Sequence, residues 1–400
     1  KMSVLNKFHA NKTWGGIFLV AGTTIGGGML GLPLTGMGIG LGGSFLLMLA
    51  LWTVMYCAAV VTLDVNNAHG SPMNLASLAR KQYGLAGSVC VACVLYGLFY
   101  ALLAAYIAAS TSITLRMVPS GWVAYEQSSW ALSLLITTVL GGVIGSHLHY
   151  LDAVNRVCFI VKTAIFVALV TLLIPVCQKP VLLWTTWDLS AWIIAVPAFF
   201  TSFGFHGSIP AVMAYVPKAH HKATFAWGSL TALAFYVLWL GATLLPLGAD
   251  APHILKNTGG DVGLFLQTLA RTVNVAHFEG LTMSFALLAI ITSFLGVGIG
   301  LMGMVEEQFS KLPKAAHIVI TFGPPLGFAL FYPQGFLCAL TYAAIALALL
   351  AIIIPCLLSL QLQYKPIQAP FSIKRPYVWL LLFIGLGLIA IECSHLLRSA

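Results

Sequence analysis

The sequence predicts an all-helical (all-α) integral membrane protein of eleven transmembrane helices: a five-plus-five inverted repeat with broken first and sixth helices, plus one extra helix. Three observations carry that expectation: a composition almost free of charge, eleven apolar runs of bilayer length, and matching interruptions in the first and sixth runs. Of 400 residues, 60% are hydrophobic and 7% are charged, whereas a soluble domain carries about 25% charged residues to wet its surface. A mean hydropathy of +0.97 places the chain in a bilayer. A cytosolic enzyme, a secreted disulfide scaffold and a disordered interaction protein are excluded on that ground.

A spanning helix needs roughly 20 mostly apolar residues. Such runs lie at 14–42, 44–65, 87–115, 130–147, 153–176, 191–215, 224–247, 280–305, 315–332, 335–358 and 377–397. Residues 1–13 then form a cytoplasmic N-terminus, 14–176 the first repeat, 191–358 the second repeat with an external loop at 248–279, and 377–397 the eleventh helix. With the N-terminus inside, thirteen of the nineteen Lys and Arg fall in cytoplasmic segments and five outside, with Lys162 set apart within a span. Orientation follows that bias of short loops, and an odd number of spans puts the C-terminus outside. The net charge of +9 is therefore topological. With no basic stripe, nucleic acid is not an expected partner. The loop at 248–279 contains an amphipathic piece, Val262 to Val273, and reads equally as a lid or a plain connector. Eight cysteines scattered in apolar runs read as buried thiols, and Cys90 and Cys93, though spaced C-x-x-C, read as packing residues.

The first run is interrupted at Gly22-Thr23-Thr24-Ile25-Gly26-Gly27-Gly28, where each glycine costs a helix about 1 kcal/mol relative to alanine. The sixth is interrupted by Gly, Ser, Thr, His and Pro over Phe199–Pro210. A break in hydrocarbon is tolerated only where the freed backbone groups meet protein, water or ligand. The two breaks are five spans apart, so the second half enters the membrane from the opposite side, the arrangement of an inverted repeat whose midplane holds a substrate site. Half-helix N-termini offer N–H groups to an anion, and the preceding C-terminal ends offer carbonyls to a cation. One site flanked by both suits a zwitterion.

The segments AGTTIGGGMLGLP (Ala21–Pro33), FTSFGFHGSIP (Phe200–Pro210), ITSFLGVGIGL (Ile291–Leu301) and FALFYPQGF (Phe328–Phe336) resemble the hydroxy and aromatic amino acid permeases of the amino acid–polyamine–organocation superfamily. The tyrosine-specific members are resembled more than the tryptophan members, over nearly the whole chain. The resemblance implies a bacterial inner-membrane symporter that imports an aromatic amino acid, L-tyrosine first, with a proton by alternating access. It implies no cofactor, and lipid as the surroundings. Tryptophan, phenylalanine or serine as cargo, or sodium as the driving ion, stay open. Carried over by position, Gly26, Gly27 and Gly28 match the backbone N–H groups that hold the substrate carboxylate. Thr23, Thr24, Phe200 and Phe203 match carbonyls that meet the amino group, with Gly22, Thr201 and Ser202 beside them. Phe205 and His206 match the border of the side-chain pocket. Gly27 stands where tyrosine permeases carry Ala, and Gly31 is likewise small; both are expected to widen the pocket.

Lys162, about two turns into the fifth run from Arg156, is an ionisable group at depth and by default a functional one. The resemblance puts its ammonium where sodium-coupled relatives bind a cation, with the carbonyls of Gly22 and Ile25 and the hydroxyls of Thr292 and Ser293 as partners. Snorkelling to the interface is the alternative. His206 is open between relaying a proton or donating to a phenolic hydroxyl, and satisfying a carbonyl of its own break. Glu392 belongs near the external end or at a partner interface, and Asp64 and Asp152 at hydrated cytoplasmic ends. Tyr96 and Tyr100 lie one turn apart inside the third run, with Tyr100 the candidate to face the substrate and helix packing the other reading. Motifs for metalloprotease, serine-hydrolase or nucleotide chemistry are absent, so an enzyme is not expected.

Overall fold

A computed structural model describes residues 2–70, 72–118, 125–145, 148–173, 187–247, 258, 260–333, 335–364 and 373–399. Fourteen α-helices are seen among them, with no strand. They are α1 (Met2–Thr24), α2 (Gly31–His69), α3 (Leu75–Met117), α4 (Tyr125–Ile144), α5 (Leu148–Leu173), α6 (Leu189–Thr201) and α7 (Ile209–Tyr215). The second half holds α8 (His221–Leu247), α9 (Val262–Val273), α10 (Phe278–Gln308), α11 (Lys314–Phe331), α12 (Phe336–Ala348), α13 (Ile354–Tyr364) and α14 (Arg375–Ser399). A π-helical turn, Leu349–Ile353, joins α12 to α13. Eight helical segments are long and apolar enough to cross a membrane, and 129–144, 160–173 and 262–273 are shorter apolar helices. Residues 174–180 and 248–257, at the end of the fifth expected span and the start of the long loop, lie outside the described residues.

Two helices run past their expected boundaries. The 39 residues of α2 would reach about 58 Å at 1.5 Å per residue, twice a hydrocarbon core. The helix divides at Gly40, whose φ of 79° and ψ of 172° are open to glycine and strained for any other residue. In α3 the same role falls to Gly84, at φ 70°. It separates the expected span from an added segment that begins at Leu75, where the Asn74 side chain caps the Ser77 N–H.

Helix α8 packs on α1 and α2, and α2 packs on α6, while α3 packs against α10, α11 and α12. The backbones of α1 and α8 approach closely, since a Cβ on Gly228 would fall 2.6 Å from Val20 Cβ. Helix α5 bridges the two groups through Phe166, stacked on Phe235 at 3.8 Å and tilted against Phe285.

The amphipathic segment of the long loop forms α9, whose apolar face is buried on α3, α8 and α10. Asp261 fixes it in place: the carboxylate caps Leu264 N–H at 2.8 Å, accepts from Ser112 Oγ and lies 3.8 Å from Arg116. Replacing Asp261 with Ala removes all three contacts and is expected to cost about 1–3 kcal/mol, read as a lower unfolding midpoint in detergent.

Several sequence expectations are corrected. Asp64 is buried, not hydrated at an interface; it lies 3.8 Å from Lys222 and accepts the Ile373 N–H. Glu392, expected near the external end or at a partner interface, is 1% exposed inside the packed bundle, and neither carboxyl oxygen makes a hydrogen bond among the described residues. Among the described cysteines Cys356 is buried, but Cys90, Cys93 and Cys393 are exposed, because their faces of α3 and α14 look away from the protein.

Candidate functional site

Both interruptions are visible as broken helices. Helix α1 ends at Thr24, Gly26 is extended (φ −142°, ψ −161°), and a 3₁₀ turn over Gly27–Leu30 leads into α2. Helix α6 ends at Thr201, and a 3₁₀ turn over Phe205–Ser208 leads into α7, with Pro210 in its first turn. The breaks face each other: a Cβ on Gly28 would lie 3.6 Å from Ser202 Cα.

Between them and helices α3, α5 and α10 lies a cavity of about 760 Å³, within the usual size of a small-molecule site. Gly22, Thr23, Thr24, Ile25, Gly26 and Gly28 line it from the first break, and Thr201, Ser202, Gly204 and Phe205 from the second. Tyr106, Phe99, Leu102, Lys162, Thr292 and Ser293 are among the other lining residues. The exposed lining residues include Phe18, Leu19 and Thr23 of α1, Ile160 of α5, and Gly204 and Gly207 of the second break.

The cationic wall is built by two adjacent residues of α10. Thr292 and Ser293 each donate a hydroxyl proton to the Ala289 carbonyl at 3.0 Å, which turns their lone pairs outward. Thr292 Oγ1 accepts from Lys162 Nζ at 3.0 Å, and Ser293 Oγ accepts from the Gly27 N–H at 2.7 Å. Lys162 Nζ also donates to the Ile25 carbonyl at 3.1 Å. Lys162 is 3% exposed, so its head stays at the break and does not snorkel. One ammonium thus joins α5, α10 and the end of α1. Among the described lining residues no carboxylate faces it.

Several predicted positions lie elsewhere. Gly27 is not on the cavity wall, and the room it leaves holds the Tyr106 ring, 2.9 Å from where a Cβ would be. Gly31 packs under Ala198, Leu340 and Phe336. Neither glycine widens the cavity directly. Phe200 and Phe203 are buried behind the wall, and their carbonyls accept backbone N–H groups of Phe203 and Phe205. His206 stacks on Phe205 at 4.9 Å and is not on the wall. Neither of its ring nitrogens reaches a hydrogen-bonding geometry, the Met55 backbone being the polar group beside it.

Tyr100 lies outside the cavity. Its hydroxyl donates to the Ile320 carbonyl at 2.9 Å, the acceptor that Pro324, lacking an N–H, leaves unpaired one turn on. Tyr96 packs on its ring at 6.0 Å. The sequence reading stopped at these two, but Tyr106, further along α3, is the tyrosine that reaches the cavity. Tyr100→Phe is expected to leave uptake within about two-fold of wild type and to lower stability by about 1 kcal/mol, measured by transport and by thermal unfolding.

Tyr236 of α8 was also missed. Its hydroxyl lies 2.7 Å from the Thr24 carbonyl and 2.7 Å from the Ser202 carbonyl, joining the two breaks from behind. The available signal was a tyrosine in mid-span, whose hydroxyl needs a partner when buried. The sequence does not say which partner.

A bundle of bilayer-length helices around a central cavity walled by two broken helices and a buried ammonium is the arrangement of a multi-pass membrane transporter. The chain belongs to the tryptophan/tyrosine permease family, whose model matches residues 9–394. It is 35% identical to tyrosine-specific transport system 1 of Haemophilus influenzae, over 97% of this chain and 98% of that protein. Tyrosine-specific transport system 2 of the same organism is 32% identical over 97% of each chain. A tryptophan-specific transport protein of Haemophilus influenzae is 29% identical over 90% of each.

Proposed function

We propose that the protein is a proton-coupled symporter importing an aromatic amino acid, L-tyrosine in the first place, across a bacterial inner membrane by alternating access. The observation that carries the reading is the meeting of the two breaks on one cavity, which Thr24, Gly26 and Gly28 line from the first break and Ser202 from the second. The substrate carboxylate takes the glycine N–H groups and the α-ammonium the carbonyls, while the aromatic ring lies among Phe99, Leu102, Tyr106 and Phe205.

The reading takes the chain as eleven spans, two inverted sets of five and one more. In that count the division at Gly40 makes two spans of α2 with its preceding turn, and the breaks open the first and sixth spans. In this reading the N-terminus is cytoplasmic and the C-terminus periplasmic. Lys162 is the coupling residue. Protonated, it ties α5 to the Ile25 carbonyl and Thr292; deprotonated, it releases them.

Tryptophan is the second reading, favoured by the tryptophan-specific relatives. Uptake of labelled L-tyrosine into proteoliposomes, competed with unlabelled Trp, Phe and Ser in sodium-free and sodium buffers, separates the two. Tyrosine as strongest competitor with no sodium requirement is the expected pattern. Tryptophan as strongest competitor reverses the cargo, and sodium-dependent flux overturns the proton.

A further inference from the structure

Tyr236 holds one hydroxyl proton and faces two acceptors. Its oxygen is 2.7 Å from each of the Thr24 and Ser202 carbonyl oxygens, both typical distances for an O–H donor and a carbonyl. A phenol donates once. One of the two contacts is therefore without a proton, and a buried carbonyl left unpaired is unfavourable.

The placement makes that shortage meaningful. Tyr236 is fully buried and reaches the carbonyls from behind the wall, where Phe203 packs edge-on against its ring at 5.4 Å. Thr24 and Ser202 themselves line the cavity. The two carbonyl oxygens are no more than twice 2.7 Å apart, close enough for one ammonium to span both. The neighbouring carbonyls of Phe200, Thr201 and Phe203 accept backbone N–H groups. Tyr236 thus serves two acceptors, one at the end of α1 and one at the end of α6, for which no backbone donor is seen among the described residues.

We propose that Tyr236 is a positioning residue that stands in for the substrate's α-ammonium in the empty transporter. It holds the two breaks together with a single proton. When an amino acid arrives, its ammonium supplies the missing proton to one carbonyl and Tyr236 keeps the other. When the cargo leaves, Tyr236 alone keeps the breaks joined, so that the empty carrier can return. The inference rests on the amino acid reading of the cavity, and it extends that reading to how the unloaded state is kept competent.

The test uses the full-length protein in proteoliposomes and in detergent. Tyr236→Phe keeps the ring and removes the proton, leaving both carbonyls to the ligand. Affinity for labelled L-tyrosine is expected to tighten about five-fold, roughly one added hydrogen bond. Exchange of internal for external tyrosine, which needs no empty carrier, is expected to stay at the wild-type rate. Net uptake is expected to fall by the same factor or more. Site-specific 3-fluorotyrosine at 236, a stronger donor of the same shape, is expected to move affinity the opposite way, and it decides the question if Tyr236→Phe does not fold.

A merely structural tyrosine depresses exchange and net uptake together. That outcome, or affinities that do not move in opposite directions, overturns the proposal. If wild type binds an aliphatic or hydroxy amino acid and not tyrosine, the aromatic reading fails. The same assays with that amino acid still test Tyr236, because every amino acid carries the ammonium. Binding of no amino acid overturns both.

Discussion

Lys162→Ala is expected to abolish proton-driven accumulation of the cargo while leaving exchange across the membrane intact. The lysine supplies the donor for the Ile25 carbonyl at 3.1 Å and for Thr292 Oγ1 at 3.0 Å, in a site almost closed to water. Hydrogen bonds to a charged group contribute about 1.5–3 kcal/mol each, a factor of roughly ten to a hundred apiece, so losing both removes the tie that proton-driven accumulation depends on. Exchange is expected to survive because Gly26, Gly28, Thr24 and Ser202 still line the cavity in the variant. Lys162→Arg is not expected to rescue accumulation, since a guanidinium does not give up its proton within a transport cycle. Uptake is compared with and without an imposed pH gradient, beside an exchange control. Undiminished accumulation in Lys162→Ala would remove the lysine from the coupling step.

The second large effect is expected at Gly26. A methyl group there meets Ser293 Oγ at far less than contact distance, and Ser293 is the residue that accepts the Gly27 N–H. Gly26→Ala therefore pushes the hydroxyl off its bond and disturbs the wall on which a carboxylate would sit. Uptake is expected to fall more than about ten-fold, the loss of one buried hydrogen bond plus the local shift. Ser293→Ala in the same chain makes room for the methyl group but leaves Gly27 N–H without its acceptor. The double variant is expected to recover folded yield in detergent without recovering transport. Parallel recovery of yield and transport would show that the Gly27–Ser293 bond is not needed for function.

The parts of this site that were legible in the sequence are those that break a local rule. Four glycines in the Gly22–Gly28 segment and a proline-terminated polar stretch in the sixth run stand out against continuous apolar helices, and the structure breaks both helices there. Lys162 stands out for the same reason, as a charge in mid-span.

Tyr106 and Tyr236 break no local rule, because a tyrosine is at home in an apolar helix until its hydroxyl is asked for a partner. Those partners come from residues far along the chain: Tyr236 meets Thr24 and Ser202. Tyr100 was misplaced by the same blindness, since Pro324, more than 200 residues away, decides what its hydroxyl does. Gly27 looked like added room because sequence shows a missing methyl group and not the ring that fills its place. Asp64 looked like an interfacial charge because its partners Lys222 and Ile373 come from other helices and loops.

The most direct measurement records labelled L-tyrosine influx and internal pH together in proteoliposomes containing only this protein, at zero membrane potential and without sodium. Tyrosine influx driven by external acidification, accompanied by acidification of the lumen that stops when tyrosine is omitted, is the predicted result. Tyrosine entry with no change in luminal pH, or entry that requires sodium, would contradict proton-coupled aromatic amino acid import by this transporter.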